Sequence, residues 1–146
     1  MLVHELTHVY LSRMLTQVKD IPNWFNEGSG VLIQSTLNAS KIASNDREIQ
    51  KLLAQNAILS LEQMTSYNSF HEAVDEAKSG NQKGNPYAQG FNMTRYLGHA
   101  MKGAKFSEFV LQVQKEKSFE AALKTKTGMT MPEFYASWVK AITGQR

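Results

Sequence analysis

The sequence contains no cysteine, which excludes disulfide bonds and thiolate metal ligands but fits either an oxidising or a reducing compartment. It also has no internal repeat and no run of about 20 apolar residues, the length that a transmembrane helix needs. A chain of 146 residues, 42% of them hydrophobic, is long enough for one domain with a real core and too short for two. We therefore expect a single domain over residues 1–146, and its localisation stays open.

A strong excess of one charge is also missing. The formal net charge is only +3, from 16 basic and 13 acidic residues. The densest group of lysines, between Lys115 and Lys126, is interrupted by Glu116 and Glu120. This alternation is typical of a solvated helix face and argues against nucleic acid as a partner.

The strongest chemical signal is an HExxH motif, formed by residues 4–8. Two histidines four residues apart on a helix, His4 and His8, can both reach one metal ion, and Glu5 between them can act on water at that metal. Apolar residues recur at helical spacing around the motif and predict that it lies on a helix: Leu2, Leu6, Val9, Tyr10, Met14 and Leu15. The motif therefore favours a zinc site over a structural helix in which HExxH arose by chance.

A catalytic zinc ion takes three protein ligands and water, so the two histidines need a third partner. Glu27 is the candidate. Eighteen residues separate it from His8. Within that interval Pro22 interrupts the chain, and Asn23 offers an N-cap for a second helix. A helix end, a turn and an antiparallel helix would bring Glu27 back beside the histidines.

HExxH and the W-F-N-E-G segment at residues 24–28 together resemble the gluzincin metallopeptidases. The resemblance is to the peptidase-MA-like family, which is related to aminopeptidase-N-like catalytic domains. It implies one Zn²⁺ per chain bound by His4, His8 and Glu27, with Glu5 as the general base and a peptide or protein as the substrate. Met14 stands where the metzincins place their third histidine, so the chain does not resemble that group.

A later segment, N-P-Y-A-Q-G-F at residues 85–91, resembles the P-Y-x-x-G-F segment of aminopeptidase-like gluzincins. The resemblance implies that Tyr87 stabilises the oxyanion of the reaction. A phenol O–H suits this role because it is a neutral donor that can point at developing negative charge. The alternative is an aromatic residue at a helix start that packs on the core.

The chain also departs from the related aminopeptidases. It has Gln34 where they carry a glutamate, and it lacks the G-x-M-E-N segment that precedes their HExxH, so aminopeptidase specificity is not predicted. In gluzincins an upstream β-sheet packs on the HExxH helix and holds the substrate backbone. The resemblance thus implies the helical C-terminal portion of a zincin-like (thermolysin-like) domain without its sheet. We expect the uncovered apolar face to bind such an N-terminal subdomain or a second copy of the chain.

The remaining patterns predict an all-α fold, with a zinc-binding helix pair in residues 1–37 and C-terminal helices in residues 85–146. Capping boxes are predicted at Asn45-x-x-Glu48, Ser60-x-x-Gln63 and Thr130-x-x-Glu133. A helix from Phe119 to Lys126 should end at Gly128. Residues 39–70 carry the weakest signals.

Two glycines, Gly28 and Gly30, lie inside the presumed second helix, where each costs about 1 kcal/mol relative to alanine. We expect that the lack of a bulky side chain at these two positions allows this helix to approach the HExxH helix closely. His71 and His99 have no partner at metal-ligand spacing and are not expected to bind the metal.

The function predicted from these patterns is zinc-dependent hydrolysis of peptide bonds. One alternative is a gluzincin-derived metal-binding or interaction domain without peptidase activity. Another is an all-α structural domain with a fortuitous HExxH. Measuring the metal content distinguishes the structural domain from the peptidase and from the metal-binding domain.

Overall fold

The computed structural model describes residues 2–144, which form nine α-helices and no β-strand. The helices are α1 (Leu2–Met14), α2 (Asn23–Ser35), α3 (Ser40–Ala54), α4 (Leu61–Thr65), α5 (Tyr67–Ser79), α6 (Pro86–Ala100), α7 (Phe106–Glu116), α8 (Phe119–Thr127) and α9 (Met131–Thr143). The predicted all-α fold is confirmed for this range. Both expected domain ends, residues 1 and 146, lie outside the described residues. None of the described helices combines the length and the apolar character needed to span a membrane.

Two adjacent aromatic residues anchor α2 in the core. Trp24 and Phe25 are both fully buried. Trp24 stacks on Phe134 of α9 with ring centroids 5.4 Å apart, and Phe25 packs on Phe119 of α8 at 5.0 Å. Truncating a buried aromatic side chain of this kind costs about 3–5 kcal/mol. These contacts fix the rotation of α2 about its axis, which directs Glu27 toward α1.

The crossing of α2 and α6 is unusually close because it is made by glycines. A Cβ atom added to Gly28 would lie 2.3 Å from the carbonyl oxygen of Gly90 and 2.3 Å from the hydroxyl of Thr94. A Cβ on Gly90 would lie 3.0 Å from the carbonyl oxygen of Trp24. The expectation that Gly28 faces the HExxH helix is therefore wrong, because its neighbour is α6.

The HExxH motif lies in α1, as predicted, but much of the apolar stripe around it faces outward. Leu11 and Leu15 point into the core, with 2% and 3% of their surfaces exposed. The exposed members of the stripe are Leu2 (72%), Leu6 (55%), Val9 (46%) and Tyr10 (39%). The apolar pattern thus predicted the helix correctly but not its buried face. The buried face of α1 is narrower than the apolar stripe and is the face that carries His4 and His8.

Three predicted helix ends are confirmed. The Ser60 hydroxyl accepts from the Gln63 backbone N–H at 3.2 Å, and the Glu133 carboxylate accepts from the Thr130 N–H at 2.7 Å, so both capping boxes form. Gly128 ends α8 in the left-handed conformation with φ of 77°. These signals are local, which is why the sequence was sufficient to predict them.

Two predicted caps are wrong. Asn45 lies inside α3, where its amide donates to the Ala88 carbonyl and accepts from Asn92, both at 2.9 Å. Its polar groups are therefore used to join α3 to α6 instead of capping a helix. Asn23 is the first residue of α2 and Pro22 occupies the cap position, with no side-chain capping bond.

The loop after α1 is held to α8 by a carboxylate. Asp20 accepts hydrogen bonds from the backbone N–H groups of Phe119 (2.7 Å) and Glu120 (3.1 Å) and from the Ser118 hydroxyl (2.9 Å). Burial alone would raise the pKa of the Asp20 carboxyl, but these hydrogen bonds outweigh it and lower the pKa below its ordinary value. Asp20 therefore fixes the path of the chain between α1 and α2.

Candidate metal centre

Three side chains from α1 and α2 converge on one point. The Nε2 atoms of His4 and His8 lie 2.9 Å apart, and the Glu27 carboxylate oxygen lies 3.2 Å from His4 Nε2 and 3.4 Å from His8 Nε2. In the described residues this is the one group of histidine and carboxylate side chains with atoms close enough to share a metal ion. The structure thus brings together the three residues that the sequence predicts as ligands.

The chemistry and spacing of these three atoms fit a zinc ion. Imidazole nitrogen and carboxylate oxygen are ordinary zinc ligands, with bonds of about 2.0–2.1 Å. Ligand atoms at the corners of such a tetrahedron are about 3.3 Å apart. The three separations, between 2.9 and 3.4 Å, match that edge, and the fourth corner is left for water or substrate.

The approach of α2 to α1 depends on Gly30. A Cβ atom on Gly30 would lie 2.7 Å from His4 Nδ1 and 2.8 Å from His4 Cε1, closer than real side chains pack. The imidazole of His4 therefore lies against the bare backbone of α2. The expectation of a glycine-dependent approach is confirmed for Gly30, although it was wrong for Gly28.

The sequence reasoning missed Asn26, the residue immediately before Glu27. Its side-chain carbonyl lies 3.2 Å from Nδ1 of His8. A carbonyl oxygen can only accept, so this contact favours the His8 tautomer with the hydrogen on Nδ1, which leaves the Nε2 lone pair for a metal ion shared with His4 and Glu27. Such a partner fixes both the tautomer and the ring orientation of a metal-binding histidine. The available signal was an amide side chain adjacent to a predicted ligand.

Glu5 lies on the solvent-exposed side of α1, at the rim of a cavity that His8, Asn26 and Glu27 also line. Glu5 does not belong to the group formed by His4, His8 and Glu27, and it faces the open cavity beside that group. This position suits a carboxylate that exchanges protons with water or substrate.

Tyr87 is the second residue of α6 and is 36% exposed. Asn85 caps this helix by accepting from the Ala88 N–H at 3.1 Å, and the Tyr87 ring packs edge-on against Phe70 with centroids 5.3 Å apart. Burial raises the pKa of the Tyr87 phenol, and the negative charge of Glu27 raises it further. The phenol therefore stays protonated at neutral pH, and Tyr87 lines a different cavity from the one that Glu5, His8 and Glu27 line.

His71 and His99 lie away from the cluster. His71 is on α5, where its ring packs on Tyr67 at 4.3 Å and on Phe70 at 5.5 Å. His99 is exposed near the end of α6. Neither belongs to the group of residues that could share a metal ion.

An all-helical fold that brings two histidines and a glutamate to one point defines a domain with a candidate mononuclear metal site. Residues 1–144 match the family model of the peptidase MA superfamily. The chain belongs to this superfamily, which confirms the predicted family at that level and supports a metallopeptidase-like function. A search of curated proteins and a search of solved structures each found no match.

Proposed function

We propose that this chain is a gluzincin-type zinc metallopeptidase that hydrolyses peptide bonds. The observation that carries the proposal is the convergence of His4, His8 and Glu27 within bonding range of one ion. Membership of the peptidase MA superfamily supports the same reading. Asn26 supports it further, because a histidine oriented by a second side chain is characteristic of metal ligands.

In this proposal His4, His8 and Glu27 hold one zinc ion. A zinc ion in such a site lowers the pKa of water to about 7 and polarises a carbonyl group. Glu5 takes a proton from the attacking water and delivers it to the leaving amine. Its exposed position at the cavity rim leaves room for water and substrate beside it.

Tyr87 is proposed to donate a hydrogen bond to the oxyanion. This role requires a protonated phenol, and burial raises the pKa of Tyr87 above its ordinary value, which already lies far above neutral pH. Loss of one oxyanion donor costs about 3 kcal/mol of transition-state stabilisation in other enzymes. We therefore expect Tyr87→Phe to lower kcat more than it changes KM.

Zinc stoichiometry tests the metal centre. Protein stripped with chelator and reconstituted with zinc should hold one zinc ion per chain by elemental analysis. His8→Ala and Glu27→Ala should lose or strongly weaken it, whereas His99→Ala, an exposed histidine outside the cluster, should retain it. Wild-type protein without zinc would contradict the proposal.

Activity separates a peptidase from a metal-binding domain without turnover. Glu5→Gln removes the general base but none of the three ligands, so zinc content should stay the same while peptide hydrolysis falls by about 100- to 10,000-fold. Zinc-loaded wild-type protein that cleaves no member of a diverse peptide library would favour the non-catalytic alternative.

We also propose that the outer face of α1 is covered by another protein surface, either a β-sheet subdomain or a second copy of the chain. The exposed stripe of Leu2, Leu6, Val9 and Tyr10 supports this, because contiguous apolar patches commonly mark interfaces. Sedimentation over a range of concentrations tests the second possibility. Leu6→Glu should reduce any self-association without changing zinc content.

A further inference from the structure

A cavity of about 370 Å³ lies beside Tyr87, separate from the one that Glu5, His8 and Glu27 line. We call it the Tyr87 cavity. Val31 of α2 also lines it and follows Glu27 by one helical turn, so the Cβ atoms of these two residues are about 5–6 Å apart on one face of α2. The volume lies within the range of about 300–1,000 Å³ that is usual for ligand sites. A substrate held between the proposed metal centre and Tyr87 would therefore have a side chain within reach of this cavity.

Part of the wall of the Tyr87 cavity is apolar. Val31 and Ala88, which are both half-buried, line it together with Phe91. Phe91 is almost fully buried, so this part of the wall belongs to the packed interior and is rigid. Such a wall favours a substrate side chain with an apolar stem.

Two amide side chains in the wall are already used inside the protein. The Asn45 amide donates one hydrogen bond and accepts another, both at 2.9 Å, and these join α3 to α6. The Asn85 side chain accepts the cap hydrogen bond of α6 at 3.1 Å and donates to the Glu48 carboxylate at 3.5 Å. The polar groups left to recognise a ligand are those of Lys41, Ser44 and Glu48.

Glu48 is a half-buried carboxylate with only loose partners. Its side chain is 31% exposed. Besides the Asn85 amide at 3.5 Å, it has Lys51 Nζ at 3.9 Å, on a side chain that is 62% exposed. Ordinary hydrogen bonds from nitrogen to oxygen are about 2.7–3.2 Å long, and an exposed ion pair of this kind contributes little. The Glu48 carboxylate therefore keeps most of its capacity to accept from a ligand.

Lys41 carries the opposite charge, but it is exposed. It lies seven residues before Glu48, which is two turns or about 10 Å along α3. Water and salt screen an exposed charge at that distance, whereas a half-buried charge acts through a lower effective dielectric constant. The Tyr87 cavity therefore favours a cationic group at Glu48, although one charge of each sign lines it.

We infer that the Tyr87 cavity is a specificity subsite for a lysine or arginine side chain of the substrate, and that Glu48 binds its charge. The inference rests on the proposed peptidase function and adds the substrate class. The stem of the basic side chain lies along Val31 and Ala88, and its head group donates to the Glu48 carboxylate.

Side chains of other chemistry satisfy the Tyr87 cavity less well. Leucine fills only the apolar part and leaves Glu48 without a closer partner. Glutamate brings a second negative charge to Glu48, and like charges at short range disfavour binding. The expected order of binding is therefore lysine or arginine first, leucine second and glutamate last.

Hydroxamates test this order without turnover, because they bind zinc directly. The probes are acetohydroxamate, which has no side chain, and hydroxamates that carry a leucine, lysine or glutamate side chain and no free α-amino group. One series has the side chain on the carbonyl side of the hydroxamate and a second has it on the nitrogen side, so both directions along a peptide are covered. Calorimetry measures the affinity of each probe for the zinc-loaded full chain.

In one of the two series the lysine probe should bind about tenfold more tightly than the leucine probe, because it gains a charge-assisted hydrogen bond. Glu48→Gln keeps the size of the side chain and removes its charge, so the two probes should then bind within about twofold of each other. The matched control is Glu72→Gln, which removes the same charge from an exposed position of α5 outside the cavity and should keep the preference for lysine. If the lysine probe keeps its advantage in Glu48→Gln, the assignment of Glu48 is overturned.

Lys41→Gln tests the sign of the preference. This variant should keep or raise the advantage of the lysine probe, because it removes a positive charge from the same cavity. Wild-type protein that binds the leucine or the glutamate probe more tightly than the lysine probe in both series would overturn the inference. So would side-chain probes that all bind within about twofold of acetohydroxamate, and in either case the metal centre would stand. If acetohydroxamate itself does not bind the zinc-loaded protein, the metal centre fails, and the subsite with it.

Discussion

Replacing Gly28 by alanine should destabilise the protein through contact with backbone atoms of another helix. The new Cβ would lie 2.3 Å from the Gly90 carbonyl oxygen, whereas ordinary contact is about 3.5 Å, so α2 and α6 would have to separate by about 1 Å. Overpacking of this kind typically costs about 1–3 kcal/mol or more. Alanine returns about 1 kcal/mol through its higher helix propensity. Because the added Cβ would meet two atoms at 2.3 Å, we expect the upper half of that range and a net loss of about 1–2 kcal/mol in the free energy of unfolding.

Urea denaturation of the metal-free protein, followed by circular dichroism, measures this change. Gly98→Ala is the matched control, because Gly98 lies in the same helix α6 and a Cβ there would meet nothing within 4 Å. That variant should gain about 0.5–1 kcal/mol from helix propensity alone. The reasoning is refuted if Gly28→Ala is as stable as Gly98→Ala, since the α2–α6 crossing would then tolerate a side chain.

Three further predictions concern the site and its supports. Gly30→Leu should displace the His4 ring and greatly weaken zinc binding. Elemental analysis measures the zinc content and thermal melting the stability. A variant that keeps both would contradict the close approach of α2 to the His4 ring. Asn26→Ala should weaken zinc affinity by about 10- to 100-fold in a chelator competition, because His8 loses the acceptor that orients it; unchanged affinity would exclude this role. Asp20→Ala should lose about 1 kcal/mol of stability at pH 7, because the backbone N–H groups of Phe119 and Glu120 at the start of α8 lose their acceptor. The folded pKa of Asp20 is lowered, so its contribution is complete above about pH 4 and is lost as the pH falls further; a loss that stays constant down to pH 2 in urea titrations would argue against it.

The parts of the site that could be predicted from the sequence are those whose signals are local. HExxH places two histidines on one face of one helix, and the spacing to Glu27 suits one turn between antiparallel helices. The caps at Ser60 and Thr130 are equally local, because each is completed three residues further on. Such signals depend little on tertiary contacts with the rest of the chain.

The errors arose where a residue serves a helix that is distant in sequence. Asn45 resembles a helix cap, but its amide binds the backbone of Ala88 and the side chain of Asn92. Gly28 was expected to face α1, because only the neighbouring helix was known, and the contact with Gly90 of α6 could not be inferred. Tertiary contacts of this kind override local preferences, and a single sequence does not reveal them.

The helices between residues 39 and 70 were also difficult to predict. The structure places α3, α4 and the start of α5 there. The segment before α4 is held by Gln89, whose buried amide donates to the Leu59 carbonyl at 2.8 Å and accepts from the Leu59 N–H at 2.9 Å. A side-chain amide that replaces a backbone partner gives no periodic signal in the sequence.

The contact between Gly30 and His4 means that the proposed metal centre depends on a residue with no functional group. A survey of reactive side chains would identify His4, His8, Glu27 and Glu5, and it would pass over Gly30. If the proposed centre is correct, a side chain at position 30 abolishes metal binding while His4, His8 and Glu27 all remain in place. In related chains, an HExxH motif and a glutamate at the position of Glu27 are therefore not enough to infer a working metal site. The residue at the position of Gly30 must be compared as well.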